Sequence, residues 1–351
     1  MRVPLVYEDQ PMFGFDLGSR TAKMIQLRPD GKKALQVLGY GYANFPAEAI
    51  VEGIIVDPEE IVEALAPLMK QMSFGHISSK RVAAAMPVSK VFTRVLELPP
   101  MNTADLGAAV RLEAEQYIPV PLPDLYIDYE IIEKTTDHID VLMVGAPRAI
   151  ADSYIKLFDL MNLEVAVLES SLSAVTRAIV SSTPLGVPTL VVDVGSNSID
   201  LAVHDGVIRL TNTIALGGDN LTDQLMKDLS ISREQANEIK YKFGLGKSGL
   251  QDKVKSSLTK PLQIITSEMK RVMRYYLDRG KDKKPVQAII LSGGSASMPG
   301  LVEHLAKELG LPVTVANSWN GLGMKNIQAI SKFDAPMYTT AIGLARLESE
   351  L

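Results

Sequence analysis

The chain has 351 residues, 46% of them hydrophobic and 22% charged, a composition that excludes a disordered chain and a length that predicts two domains. With 36 Lys and Arg against 41 Asp and Glu, the net charge of −5 excludes broad nucleic-acid binding through counterion release, so an anionic ligand has to be held locally. The absence of cysteine excludes disulfides, thiolate nucleophiles, zinc fingers and iron–sulfur clusters, and four histidines, the nearest two 62 residues apart, give no helical metal pair and little for a Ser-His-Asp hydrolase.

Met1-Arg2-Val3-Pro4, followed by Glu8-Asp9, has no signal-peptide core. The longest charge-free run, 285–302, is broken by Gly293-Gly294, serines and Pro299, short of the ~20 apolar residues of a membrane span. The expectation is a soluble, cytoplasmic protein that meets a membrane only through a partner.

In chain order, residues 12–45 read as a meander of three strands, 13–16, 21–27 and 34–43, with Pro29-Asp30-Gly31 as a turn. Asp57-Pro58-Glu59-Glu60 starts a helix that carries Ile61, Leu65, Leu68, Met69 and Met72 on one face, and 81–87 is a short strand. From 91 to 146 the pattern becomes strand (91–98), helix (104–117), strand (126–133) and strand (139–146), punctuated by prolines, which is the size of a small α+β insertion. A helix over 147–161, a strand over 164–168 and a helix through Ile179 follow.

A second meander then occupies 190–194, 198–204 and 207–214, with Asp205-Gly206 as its hairpin turn. Helices fill 221–280, a buried strand spans 286–291, and a helix over 338–347 closes the chain. Each meander opens with an apolar strand ending in Asp-x-Gly, at Asp16 and Asp193, 177 residues apart, and an internal duplication is the economical reading.

Three segments can carry chemistry. In the first, Asp16-Leu17-Gly18-Ser19-Arg20-Thr21-Ala22-Lys23, Gly18 lets backbone N–H groups approach a phosphate, Ser19 offers a hydroxyl, and Lys23 returns as a counter-charge. The second, Asp193-Val194-Gly195-Ser196-Asn197-Ser198, repeats the idea, and Asp16 with Asp193 could hold the water shell of Mg²⁺. The third runs from a buried strand through Ser292-Gly293-Gly294-Ser295 to a helix start near Pro299, where bare backbone and a helix dipole can receive a flat ring or a phosphate. Each alone also reads as an ordinary turn.

Together these segments resemble the actin-like ATPase superfamily: an α/β fold, duplicated, with two lobes around a nucleotide cleft. The insertion over 91–146 resembles that of the FtsA and PilM branch, and Glu113 to Pro119, Gly217 to Thr222 and Ala341 to Ala345 resemble the PilM family most.

The resemblance implies domains at 1–90, the insertion at 91–146, the first lobe resumed over 147–188, a second lobe over 189–334 with a helical part at 219–284, and a C-terminal helix at 335–351 packing on the first lobe. It implies that ATP and Mg²⁺ are held by Gly18, Ser19, Arg20, Lys23, Gly195, Ser196, Asn197, Ser198, Gly217, Gly218, Gly293, Gly294 and Ser295, with Glu169 orienting the attacking water beside Asp16 and Asp193. Asn237 and Lys240 stand in the helix that borders the adenosine, where the family tends to have Glu and Lys. Arg20 brings an unusual positive charge into the first loop.

The implied function is an ATP-binding assembly factor of type IV pili with at most slow ATPase activity, peripheral to the inner membrane. Its implied partner is the cytoplasmic N-terminus of the bitopic protein PilN, seated between the insertion and the first lobe around 61–72. An FtsA-like polymer and a small-molecule kinase of the same superfamily stand as alternatives, as does self-association. Gly246-Lys247-Ser248 mimics the end of a P-loop but has Tyr241 where the motif needs Gly, and the eleven Lys and Arg against four Asp and Glu over 247–284 read as a solvated helix face.

Overall fold

The computed structural model describes residues 11–31, 34–183, 185–247, 249–278, 284–325 and 327–347. The N-terminal run through Glu8-Asp9, Ser248 of the P-loop mimic and residues 279–283 of the basic stretch lie outside the described residues.

The first meander is β1 (Phe13–Leu17), β2 (Thr21–Pro29) and β3 (Leu35–Asn44), and a small hairpin of β4 (Ile50–Val51) and β5 (Ile54–Ile55) follows it. Helix α1 (Pro58–Lys70) starts where Asp57 accepts the Glu60 N–H at 3.0 Å and Pro58 takes the first turn. Then come β6 (Phe74–Gly75) and β7 (Arg81–Met86).

The insertion is β8 (Phe92–Leu98), α2 (Thr103–Tyr117), β9 (Leu125–Lys134) and β10 (Ile139–Pro147), a sheet ordered β8-β10-β9 whose core of Leu96, Leu106, Val110, Ala114 and Val141 is separate from those of the lobes. Helix α3 (Arg148–Leu160), β11 (Glu164–Ser170) and α4 (Ser171–Ser182) return the chain to the first lobe.

The second lobe repeats the plan with β12 (Thr189–Val194), β13 (Ile199–Asp205) and β14 (Val207–Ile214). The helices α5 (Gly218–Leu229), α6 (Arg233–Lys242) and α7 (Gln251–Asp278) precede β15 (Ala288–Ser292), α8 (Leu301–Leu309) and β16 (Val313–Val315). The chain ends with β17 (Leu322–Gly323) and α9 (Thr339–Ala345).

The duplication is explicit in the sheets. The first runs β11-β7-β1-β2-β3 before β17, and the second runs β16-β15-β12-β13-β14, so in each lobe the first strand of a meander is flanked by its own hairpin partner and by a parallel strand. Helix α4 lies between the sheets. Ala174 packs with Ala83 and Ala85 of the first sheet, while Leu172, Val175 and Ile179 pack with Val191, Ala202 and Ile290 of the second.

Two boundaries differ from the sequence reading. Strand β11 extends through Ser170 because Glu169 and Ser170 continue the parallel register with Ala85 and Met86, so Glu169 stands on the strand. The return to the first lobe starts near Trp319 instead of residue 335. The Trp319 ring meets Tyr40 and Tyr338 edge-on at 5.0 and 5.6 Å, and Leu322 and Gly323 pair with β3. This segment has no apolar periodicity, and one aromatic cluster holds it.

Candidate functional site

The two Asp-x-Gly-Ser loops have one architecture. Gly18 N–H donates to Thr21 O at 3.0 Å, and Gly195 N–H donates to Ser198 O at 3.0 Å, so each hairpin turns on the same bond. The loops meet directly, since Ser19 Oγ and Ser196 Oγ, 177 residues apart in sequence, lie 2.6 Å apart. Asp16, Ser19, Lys23, Asp193 and Ser196 are therefore brought together.

Cross-strand pairing sets the charges. Asp16 faces Lys23 across β1 and β2, and Lys23 Nζ donates to Asp16 Oδ2 at 2.8 Å with both side chains mostly shielded. The equivalent pair in the second lobe is Asp193 with Asp200. Asp200 was missed in the sequence reading, although the 177-residue offset carries Lys23 onto it.

Burial pushes Asp193 up to about 6; Ser292 Oγ, donating to Oδ1 at 2.8 Å, opposes this, and the nearby Asp16 adds to it. Burial also pushes Asp200 up to about 7, against a Thr213 hydroxyl that donates at 2.7 Å and with Asp193 adding to the rise. Asp16 thus raises Asp193 and Asp193 raises Asp200, and carboxylates gathered in this way fit a hard divalent cation such as Mg²⁺.

The glycine turns hold this loop. Gly218 and Asp219 donate their N–H groups to Gly195 O and Ser196 O at 2.9 and 2.8 Å, so the start of α5 braces the second loop with the N–H groups expected to meet a ligand. A Cβ on Gly217 would stand 2.3 Å from Ser196 O. Gly293, at φ +87°, passes so close that a Cβ would lie 2.7 Å from Asp193 Oδ1, whereas Gly294 faces open space apart from Met337. Ser295 is buried and its N–H donates to Val194 O at 3.2 Å. Asn197 is exposed, and Ser198 Oγ is 3.5 Å from Asp200 Oδ2.

Asn237 and Lys240 serve helix packing. Thr222 Oγ1 donates to Asn237 Oδ1 at 2.9 Å, and buried Lys240 donates to Gly218 O at 2.8 Å and Thr222 Oγ1 at 2.7 Å, with burial pushing the ammonium down to about 8. Arg20 reaches across the cleft to Asp219 at 3.4 Å.

Glu169 is placed differently from the water-orienting role expected of it. Continuing the registers of β1, β7 and β11 sets Asp16, Ala85 and Glu169 in one row, about 10 Å from end to end. Both carboxylate oxygens of Glu169 accept from Arg177 at 2.6 and 2.7 Å, and Arg177 also donates to Gly343 O at 3.0 Å. Its carboxylate is thus engaged by a cation that ties α4 to α9.

The insertion carries a second feature. A groove of about 320 Å³ lies where β8 and β14, each at the edge of its sheet, converge with the end of α2. Thr93, Arg94, Tyr117, Thr211 and Asn212 line it, the Arg94 guanidinium sits 3.6 Å over the Tyr117 ring, and Thr93 Oγ1 and Asn212 Nδ2 are buried without hydrogen-bond partners. The expected first-lobe wall is elsewhere, because Ala64, Leu68 and Met72 line a separate hollow beside Tyr42. The second wall of the groove is β14, which sequence reading had given no role.

A family model described as Type IV pilus assembly protein PilM matches residues 14–349. The chain belongs to the PilM family. Among solved structures, a "PilM-PilN type IV pilus biogenesis complex" superposes with TM-score 0.81 at 19% identity over 96% of this chain and 98% of that one. MreB5 of Spiroplasma citri bound to AMPPNP gives TM-score 0.57 at 14% identity, over 98% and 97%, so the PilM family fold is that of the actin-like ATPases. The cell division protein FtsA of Enterococcus hirae is 23% identical over 96% of this chain and 83% of its own length. FtsA of Pseudomonas aeruginosa is 24% identical over 97% and 89%.

Proposed function

We propose that this PilM-family protein is a nucleotide-gated adaptor of a type IV pilus assembly platform: it binds Mg·ATP between its two Asp-x-Gly-Ser loops and captures the cytoplasmic N-terminus of a PilN-like membrane protein in the groove between β8 and β14. Among the described residues no helix is long and apolar enough to cross a membrane, so such a partner supplies the attachment. The observation that carries the reading is the groove itself. Two edge strands with open backbone, an Arg–Tyr wall and two buried polar groups without partners suit an extended peptide that adds main-chain hydrogen bonds.

In the cleft, Lys23 and the Gly18 and Gly195 turns would hold the phosphates, while Asp16 and Asp193 would hold the water shell of Mg²⁺, whose charge neutralises the transferring phosphoryl group. Glu169, engaged by Arg177, is poorly free to align a water, which favours slow turnover over fast.

The test titrates a labelled synthetic peptide, the cytoplasmic N-terminal segment of a PilN-like protein from the same organism, into wild type and Asn212→Ala by fluorescence anisotropy. Binding by wild type that weakens about tenfold in the variant, a loss of about 1.4 kcal/mol, supports the groove. Equal binding by both places the peptide elsewhere. No binding by folded wild type removes the adaptor reading in favour of self-association.

A further inference from the structure

The histidines offer no helical metal pair, but hairpin register builds what sequence spacing hides. Asp140 of β10 stands directly opposite Glu133 of β9. His138, two residues before Asp140, falls on the same face by the two-residue period of an extended chain. Like charges placed directly opposite each other are destabilising in a sheet, so an ion bound between them would relieve the pair.

We propose that Glu133, His138 and Asp140 form a site for a divalent transition ion of the Zn²⁺ class at the tip of the β9–β10 hairpin. One ligand atom from each of the three lies within 4.8 Å of the other two. His138 Nε2 and Asp140 Oδ1 are 3.8 Å apart, too far for a hydrogen bond and near the spacing of two ligands that flank one ion through bonds of about 2.0–2.2 Å.

The outer contacts orient the ligands. Thr135 Oγ1 lies 3.1 Å from His138 Nδ1, which fixes the ring and leaves Nε2 toward the carboxylates. Arg209 of β14 reaches Asp140 Oδ2 at 3.5 Å, so the guanidinium takes one oxygen of Asp140 and the ion the other.

One imidazole with two carboxylates selects Zn²⁺ or a similar ion over Mg²⁺ and Ca²⁺, which favour all-oxygen shells. Because Asp140 also holds Arg209, a bound ion would stiffen the hairpin against the second lobe.

The experiment is calorimetric titration of ZnCl₂ into the metal-free full chain without nucleotide, with millimolar Mg²⁺ present to occupy the cleft carboxylates, and with Co²⁺ absorption as a second readout of imidazole ligation. Wild type should take up one ion, and His138→Ala should weaken the affinity by at least about tenfold and remove the Co²⁺ bands. Thr135→Ala, which leaves all three ligands in place, should cost about tenfold. Absence of saturable Zn²⁺ binding by wild type at micromolar concentrations overturns the site, and so does equal affinity in wild type and His138→Ala.

Discussion

The two Asp-x-Gly-Ser loops share a sequence, a turn and a place in their sheets, yet they carry opposite electrostatics. Opposite Asp16 stands Lys23, and the pair neutralises itself; opposite Asp193 stands Asp200, and the pair accumulates negative charge that burial makes costly. Duplication supplied the scaffold, and one cross-strand position made the cleft asymmetric. Lys23 on the first side therefore suits an anion and the carboxylates gathered around Asp193 suit a cation, which is the division of labour that a Mg·nucleotide requires.

The largest expected effect breaks the acidic side. Asp193 and Asp200 titrate above their unfolded values, so between about pH 4 and pH 7 the folded protein holds protons that the unfolded chain has released. Their contribution to stability is present at the low end of that window and is lost as pH rises through about 6 and 7. Asp200→Asn keeps an oxygen for the Thr213 hydroxyl and removes one of the two charges. In thermal unfolding without metal, the advantage of Asp200→Asn over wild type should grow from pH 5 to pH 8 to a few kcal/mol, and Mg·ATP should narrow it by binding wild type better. A pH-independent difference would mean that Asp200 does not titrate in this range.

The next effect breaks the basic side. Lys23→Ala removes the shielded cation of the first meander and leaves Asp16 without its 2.8 Å partner. Mg·ATP affinity measured by calorimetry should fall by about 1.5–3 kcal/mol, the value of a charge-assisted contact. Undiminished affinity would move the phosphates away from the first loop.

Most of the fold was legible because it is written in local patterns. The meanders, the insertion and the Asp57 cap need only period-two alternation, turn residues and a capping side chain, and the two loops could be paired because their motif recurs. What escaped depends on contacts between distant segments. Trp319 and its neighbours carry no period and are placed by a cluster with Tyr40 and Tyr338. The bidentate Arg177 grip on Glu169 links a strand to a helix and cannot be read from spacing. The β14 wall of the groove and the Glu133, His138 and Asp140 triad arise from strand register and lobe packing. Asp200 is legible in sequence alone, because the 177-residue repeat continues past the glycine to the returning strand.

The smallest effect sharpens the comparison at its one exposed difference. The duplication carries Arg20 onto Asn197, so Arg20→Asn makes the first loop copy the second. Arg20 is about half exposed, and its pairing with Asp219 at 3.4 Å is solvent-screened, so the ion pair contributes less than about 1 kcal/mol. The Ser19–Ser196 contact at 2.6 Å, shared by both loops, stays in place. The variant's nucleotide-free thermal stability should therefore remain within about 1 kcal/mol of wild type. Mg·ATP affinity separates two uses of the same side chain. If Arg20 leaves Asp219 to meet the phosphates, Arg20→Asn should weaken binding a few-fold at low salt, and the difference should shrink at high salt because an exposed cation is screened. An affinity unchanged at low salt would assign Arg20 to the Asp219 contact alone, leaving Lys23 as the side chain by which the two loops differ in function.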